Sequence, residues 1–360
     1  MRIVILGLTI TSSWGNGHAT TFRHLVRGLQ ERGHDILFLE RDVPWYASQR
    51  DLPRPPWCDT RLYGSVEELQ DVYADEVRAA DLVVVGSYVP EGIAVGRWGT
   101  RRARGVTAFY DIDTPVTLAA LARGGCEYLS EDLIPHYRLY LSFTGGPTLE
   151  RLRREYGSPD PRPLYCSVDP ETYRPLEREP VFDLGYLGTY SVDRQPTLER
   201  SLLEPARRWP AGRFAVAGPQ YPREIDWPAN VERREHVAPS DHAAFYGDQR
   251  FTLNVTRADM SAAGWSPSVR LFEAAACGVP IISDRWNGLD DFFEQGSEIL
   301  TTSSAEETLQ ILQHCPEEER LAIAERARRR VLAGHTGSRR AEELETYVAE
   351  SLASAAKQTA

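Results

Sequence analysis

The sequence predicts an α/β chain built from two parallel, doubly wound sheets. Three observations carry that prediction. Short apolar runs without polar alternation recur along the 360 residues, as strands buried on both faces require. Segments with helical spacing lie between most of them, which is the order of a parallel sheet. The series then stops in a proline-rich stretch and begins again, giving two domains.

The first strand is expected at residues 2–7. A loop of small residues follows it, and then a helix with Phe22, Leu25, Val26 and Leu29 on one face, stopped at Arg32-Gly-His34. Further strands are expected at 35–40, 81–86, 105–110 and 139–143. Cys166-Ser-Val-Asp-Pro170, with Pro175 and Pro180, reads as a linker. A second series has strands at 182–188, 213–217, 251–255 and 279–283, with helices near 196–208, 240–247 and 268–277. Two helices end the chain, at 317–333 and 339–355, the last with Leu344, Tyr347, Val348 and Leu352 as an apolar stripe.

Composition narrows the chemistry. With 52 acidic and 41 basic residues the net charge is −11, which argues against nucleic acid as a partner. Lys357 is the one lysine, so lysine Schiff bases and P-loop phosphate binding are excluded, and anions must be held by arginine forks or helix N-termini. Five scattered cysteines without metal spacing read as buried thiols of a reducing cytoplasm. No run approaches the roughly 20 apolar residues of a membrane span, so a cytoplasmic protein without membrane association is expected.

Several loops at strand ends carry candidate chemistry. Gly185-Tyr-Leu-Gly188, followed by Thr189, Ser191 and Arg194, precedes a helix and suits a pyrophosphate seat. Gly218-Pro-Gln-Tyr221 ends the next strand, where a nucleobase would lie. Gly15-Asn-Gly-His18-Ala-Thr20 half matches a dinucleotide fingerprint, with Glu40 where a ribose-binding acid would sit, but the third glycine is missing and the loop is long. Asp111 and Asp113 end the fourth strand. Asp-x-Asp admits a metal reading, but Asp113 before Thr114-Pro115 is better read as a base or an acceptor-binding carboxylate. Arg326, Arg328, Arg329 and Arg330 read as a solvated helix face.

The most informative stretch is Ser266-Pro-Ser-Val-Arg-Leu-Phe-Glu-Ala-Ala-Ala-Cys-Gly-Val-Pro-Ile-Ile-Ser-Asp284. It reads as a loop, an N-cap at Ser266 or Ser268, a small-residue helix with Arg270 and Glu273, a glycine stop and a buried strand. Here the chain resembles GT-B glycosyltransferases, whose second domain carries a Glu-Ala-x-Ala-x-Gly-x-Pro-Val-Ile stretch binding a nucleotide sugar. Asn287-Gly-Leu-Asp290 is similar to that family's glycine turn and acidic residue. Trp14-Gly-Asn-Gly-His18, Pro44-Trp-Tyr46 with Arg50-Asp51, Tyr110-Asp-Ile-Asp-Thr-Pro115, Ser142-Phe-Thr-Gly-Gly146 and Asn254-Val-Thr-Arg257 resemble the spore-maturation CgeB-like branch. The chain departs from the family at Trp265, where a paired glutamate often stands eight positions before the second, and in lacking the family's phosphate-contacting lysine.

The resemblance implies two Rossmann-like domains facing a cleft: an acceptor-binding domain at 1–166, a nucleotide-sugar-binding domain at 167–336, and a helix at 337–360 crossing back to the first domain. It implies a hexosyltransferase-like enzyme moving a sugar from a nucleoside diphosphate donor to a small-molecule, glycan or protein acceptor, with no metal and no cofactor beyond the co-substrate. The donor would be held by Gly188, Thr189, Arg194, Gly218, Asn254, Arg257, Ser268, Arg270 and Glu273. Trp14, Asn16, Trp45, Tyr46 and Asp111 would bind the acceptor, with Asp113 favoured slightly over His18 as base. A sugar-nucleotide epimerase, an NAD-dependent enzyme and an inactive nucleotide-sugar-binding protein remain open rivals.

Overall fold

The computed structural model describes residues 1–14 and 17–359, with the side chains of 355–359 left aside. The chain divides into two compact units, Met1–Ser167 with Gly337–Ala360, and Val168–Thr336. Each is a parallel sheet wrapped by helices.

The first unit contains β1 (Arg2–Gly7), β2 (Asp35–Arg41), β3 (Asp59–Tyr63), β4 (Leu82–Gly86), β5 (Val106–Asp111), β6 (Leu139–Ser142) and β7 (Pro161–Pro163) in the order β3-β2-β1-β4-β5-β6-β7. Ile3 pairs with Ile36 on one side and Leu82 on the other. The strand order therefore reverses between β1 and β4, and the loops leaving their C-terminal ends diverge there, as at the ligand sites of open α/β sheets. All five residues of β4 are buried, which is why it reads as an uninterrupted apolar run.

The second unit contains β8 (Phe182–Leu187), β9 (Phe214–Ala217), β10 (Val231–Arg234), β11 (Gln249–Asn254), β12 (Ile281–Ser283) and β13 (Leu300–Thr301), ordered β10-β9-β8-β11-β12-β13. Its reversal lies between β8 and β11. Strands β3, β7, β10 and β13 escaped the sequence reading. All four are the outermost strands of their sheets and all are short, so packing on a neighbour rather than an apolar pattern defines them.

The helix Gly337–Thr359 belongs to the first unit and packs along the helix His18–Glu31. Their backbones touch: a Cβ at Gly28 would lie 2.4 Å from the Gly337 carbonyl oxygen. Ala341, Leu344 and Val348 form the buried stripe, while Leu352 is exposed and drops out of the expected one. Arg340, nearly fully buried, donates to the carbonyls of Tyr165 and Cys166 and pairs with Glu343 at 2.8 Å. Arg32 and His34 both reach Glu345, whose carboxyl is held down to about 2, chiefly by the Arg32 hydrogen bond.

Candidate functional site

The second unit carries its polar groups at the β8/β11 reversal. Gly188 must be glycine, because a Cβ there would come within 2.5 Å of the Tyr186 hydroxyl and 2.9 Å of Arg270 Nη2. Gly218, at φ +141°, has no room either, since its Cβ would meet the Gly188 carbonyl oxygen at 2.1 Å. Ser268, not Ser266, is the N-cap of the helix Val269–Ala276, accepting from the Arg270 amide at 3.3 Å. Thr189 is exposed and its carbonyl accepts from Arg194 Nη2 at 2.8 Å.

Arg270 is only 7% exposed. Its Nε donates to the Leu187 carbonyl at 2.5 Å, its Nη1 to Asn254 Oδ1 at 2.9 Å, and its guanidinium lies over the Tyr186 ring. Asn254, itself anchored on Ser283, thus aims Arg270. Arg257 stands at the N-cap position of the helix Ala258–Ala263 without a side-chain capping hydrogen bond. Burial lowers the Arg194 pKa, and the charges of Arg270 and Arg257 push the same way. Among the described residues none of these three guanidinium groups makes an ion pair with a carboxylate, and buried Arg194 Nε and Tyr186 Oη have no hydrogen-bond partner. A cluster of like charges with unsatisfied buried donors costs free energy unless an anion completes it.

Glu273, expected to hold the donor, has partners within the protein. It is buried, its Oε2 accepts from the Tyr246 hydroxyl at 3.0 Å, and His242 Nδ1 lies 3.9 Å away. The His242 ring in turn contacts the Tyr173 hydroxyl at 3.2 Å. The alanines that follow let this helix sit close to its sheet, which turns Glu273 into a polar pocket. Tyr173 lies about 70 residues before His242 and Tyr246, which share the helix His242–Gly247, and no motif announces them.

In the first unit the two candidate bases come together around a residue the sequence reading passed over. The His18 ring, first in its helix and mostly buried, meets the Tyr88 ring edge to face at 5.1 Å. The Tyr88 hydroxyl donates to Asp113 Oδ2 at 3.3 Å. Burial lowers the His18 pKa to about 4, so its imidazole is neutral at pH 7. Asp113 is half-buried at the start of the helix Thr114–Ala122.

Asp111 is not open to a ligand. It is fully buried and accepts from Tyr140 Oη at 2.5 Å, Thr117 Oγ1 at 2.8 Å and the Asp113 amide at 3.2 Å. Burial pushes its pKa up to about 6. It therefore braces the turn that presents Asp113, in place of the expected acceptor contact.

Of the expected acceptor aromatics, Trp14 and Trp45 are 55% and 56% exposed, whereas Tyr46 is buried and serves the core. Asn16, with Gly15, lies outside the described residues. Glu40 is fully buried and accepts from the amides of Ile10 and Thr11 and from Thr11 Oγ1. It closes the first loop on itself and is unavailable to a ribose, which removes the dinucleotide reading's acid. Asp51 anchors the same loop: burial works against its charge, but hydrogen bonds from Arg23 and Ser13 hold its pKa at about 2.

Cys166 and Cys277 are buried, while Cys58, Cys126 and Cys315 are half-buried, and all five are free thiols. Among the described residues no group of three or more His, Cys, Asp or Glu side chains is placed to hold a metal ion, and no helix is long and apolar enough to cross a membrane.

Residues 194–346, under half of the chain, match the family described as "Glycosyl transferase-like". No curated protein matches the sequence. Solved structures do align over nearly the whole chain. A sucrose-phosphate synthase from Thermosynechococcus elongatus is 14% identical, with a TM-score of 0.68 over 98% of this chain and 100% of that one. HepE from Anabaena, in complex with UDP and glucose, is 13% identical, with a TM-score of 0.67 over 98% and 100%. An alpha-glucosyltransferase in complex with UDP-glucose and DNA containing an abasic site is 12% identical, with a TM-score of 0.72 over 97% and 99%. At these identities the likeness establishes the fold, and the fold is GT-B.

Proposed function

We propose that the protein is a glycosyltransferase that moves a sugar from a nucleoside diphosphate donor, bound by the second unit, to an acceptor hydroxyl held by the first. One observation carries the reading: Arg194, Arg257 and Arg270 gather without a carboxylate partner among the described residues, at a sheet reversal and beside a capped helix N-terminus. That arrangement fits a diphosphate. The family match over 194–346 covers all three arginines, and the solved structures that hold UDP or UDP-glucose share the fold.

In the reaction the bond between the anomeric carbon and the diphosphate oxygen breaks, its electron pair leaving with the diphosphate. The three arginines face the charge that develops there, the role a divalent cation plays in other transferases, so activity is metal-independent. The acceptor oxygen bonds to the anomeric carbon and its proton passes to Asp113. His18, buried and neutral at pH 7, acts in positioning, whereas the Asp113 carboxylate can both take the proton and face positive charge at the anomeric carbon. Exposed Trp14 and Trp45 offer stacking faces to a small-molecule or glycan acceptor. The net charge of −11 disfavours a DNA acceptor of the kind the alpha-glucosyltransferase structure contains. We assign the chain to the cytoplasm and to the CgeB-like branch on its sequence motifs.

A second reading, an inactive nucleotide-sugar binder, draws on Trp265. It stands at φ +44° with its indole hydrogen-bonded to Asp291 at 2.5 Å, where the resembling family often has a carboxylate. Release of UDP from UDP-glucose separates the two: turnover supports transfer, and saturable binding without turnover supports the binder. Asp113→Asn should abolish that release, a loss of about a hundredfold or more, while leaving UDP affinity intact.

A further inference from the structure

Tyr88 touches both candidate bases, and it does so from a backbone conformation that aromatic residues rarely adopt. It follows β4 at φ +63°, and Glu91, three residues on, is at φ +54°. Two left-handed non-glycine residues in one turn carry strain that surrounding contacts must offset, and such strain clusters where a side chain has to be aimed.

The contacts that aim it form a chain starting in the core. Fully buried Asp111 accepts from Thr117 Oγ1, which is 2.8 Å from the Tyr128 hydroxyl. The Tyr128 ring packs against the Tyr88 ring, with centroids 4.6 Å apart. Tyr88 then donates to Asp113. Backbone geometry keeps the chain short. Gly92 lets Tyr128 approach, since a Cβ there would meet the Tyr128 carbonyl oxygen at 2.7 Å. Ser87 joins the ends of β4 and β5 through its own amide to the Tyr110 carbonyl and through its hydroxyl to the Ile112 amide.

We infer that Tyr88 is a positioning residue of the acceptor site, its hydroxyl fixing the Asp113 carboxylate and its ring walling His18. The inference rests on the reading of Asp113 as the acceptor base. No proton needs to travel along the chain: Asp111, Thr117 and Tyr128 hold Tyr88, and Tyr88 holds Asp113. Asp111, His18 and Tyr128 are the titratable groups that face this pair.

Tyr88→Phe tests it, because it keeps the ring packing and removes the hydroxyl. UDP release from UDP-glucose should slow about tenfold with UDP affinity unchanged, and adding Tyr88→Phe to Asp113→Asn should cost nothing further. In parallel, the Asp113 carboxyl is titrated by carbon NMR in aspartate-labelled protein, its resonance identified by its loss in Asp113→Asn. The variant should titrate at higher pH than wild type, since the carboxylate has lost a donor. Wild-type turnover in Tyr88→Phe overturns the inference. If wild-type protein releases no UDP, or Asp113→Asn retains full turnover, the functional reading fails instead. The titration then decides alone: an upward shift supports the contact and an unmoved one overturns it.

Discussion

Arg194 offers the cleanest single-residue test of the anion seat, because its Nε is buried without an acceptor among the described residues and its charge is disfavoured by two neighbouring arginines. A hydrogen bond to a charged group contributes roughly 1.5–3 kcal/mol, so Arg194→Ala should weaken UDP binding by about tenfold to a hundredfold. The same change relieves like-charge repulsion, so the melting temperature of the unliganded protein should hold or rise. A thermal melt with and without UDP reads both effects. For His18, ring NMR should show a neutral imidazole at pH 5.5, since burial holds its pKa near 4. A titration midpoint near 6.5 would contradict that placement. Arg270, Ser268, Asn254 and the two glycines were legible in sequence because local motifs set them at a capped helix and at strand ends. Tyr88, Tyr246 and His242 were not, because the sheet and helix packing alone bring them to their partners.

At the scale of elements, the sequence signals were strongest where an element buries a whole face. The run at β4 is apolar because both faces are covered, whereas β10 buries only Val231 among its four residues and left no pattern to read. The arginines of 326–330 also read wrongly as a solvated face. Arg326, Arg328 and Arg330 donate to the carbonyls of Ser297, Ala276 and Phe292, stitching their helix to two loops and to the end of the helix Val269–Ala276. The helix Gly337–Thr359 buries Ala341, Leu344 and Val348, and a buried leucine or valine is worth about 1.5–3 kcal/mol. A chain ending before Gly337 should therefore lose stability in the whole first unit, read as a lower melting temperature. Gly28→Ala should do the same more mildly, since the added methyl meets backbone at 2.4 Å.

Across the whole molecule, pH acts through carboxyls shifted in opposite directions. Asp111 has its pKa raised to about 6 in the folded state, above its ordinary 3.8. Its ionised form therefore costs stability above pH 6, by up to about 3 kcal/mol, and the cost is relieved as pH falls from 6 to 4. Asp51 and Glu345 are held at about 2, so their contribution is present above pH 4.5 and is lost as pH falls through 4 toward 2. Comparing urea unfolding of wild type and Asp111→Asn isolates the first effect. Wild type should gain on the variant as pH drops from 7 to 4, and a constant difference would refute the buried-carboxyl assignment.

The central claim is a metal-independent diphosphate seat built from arginines in the second unit, and calorimetric titration tests it most directly. UDP, GDP, dTDP and CDP are titrated into wild-type protein and into Arg194→Ala, each with EDTA present. The arrangement of Arg194, Arg257 and Arg270 predicts that at least one diphosphate saturates a single site on wild type, unaffected by the chelator, and binds the variant at least tenfold more weakly. Equal affinity in the two proteins, or no binding of any diphosphate to wild type, would contradict it.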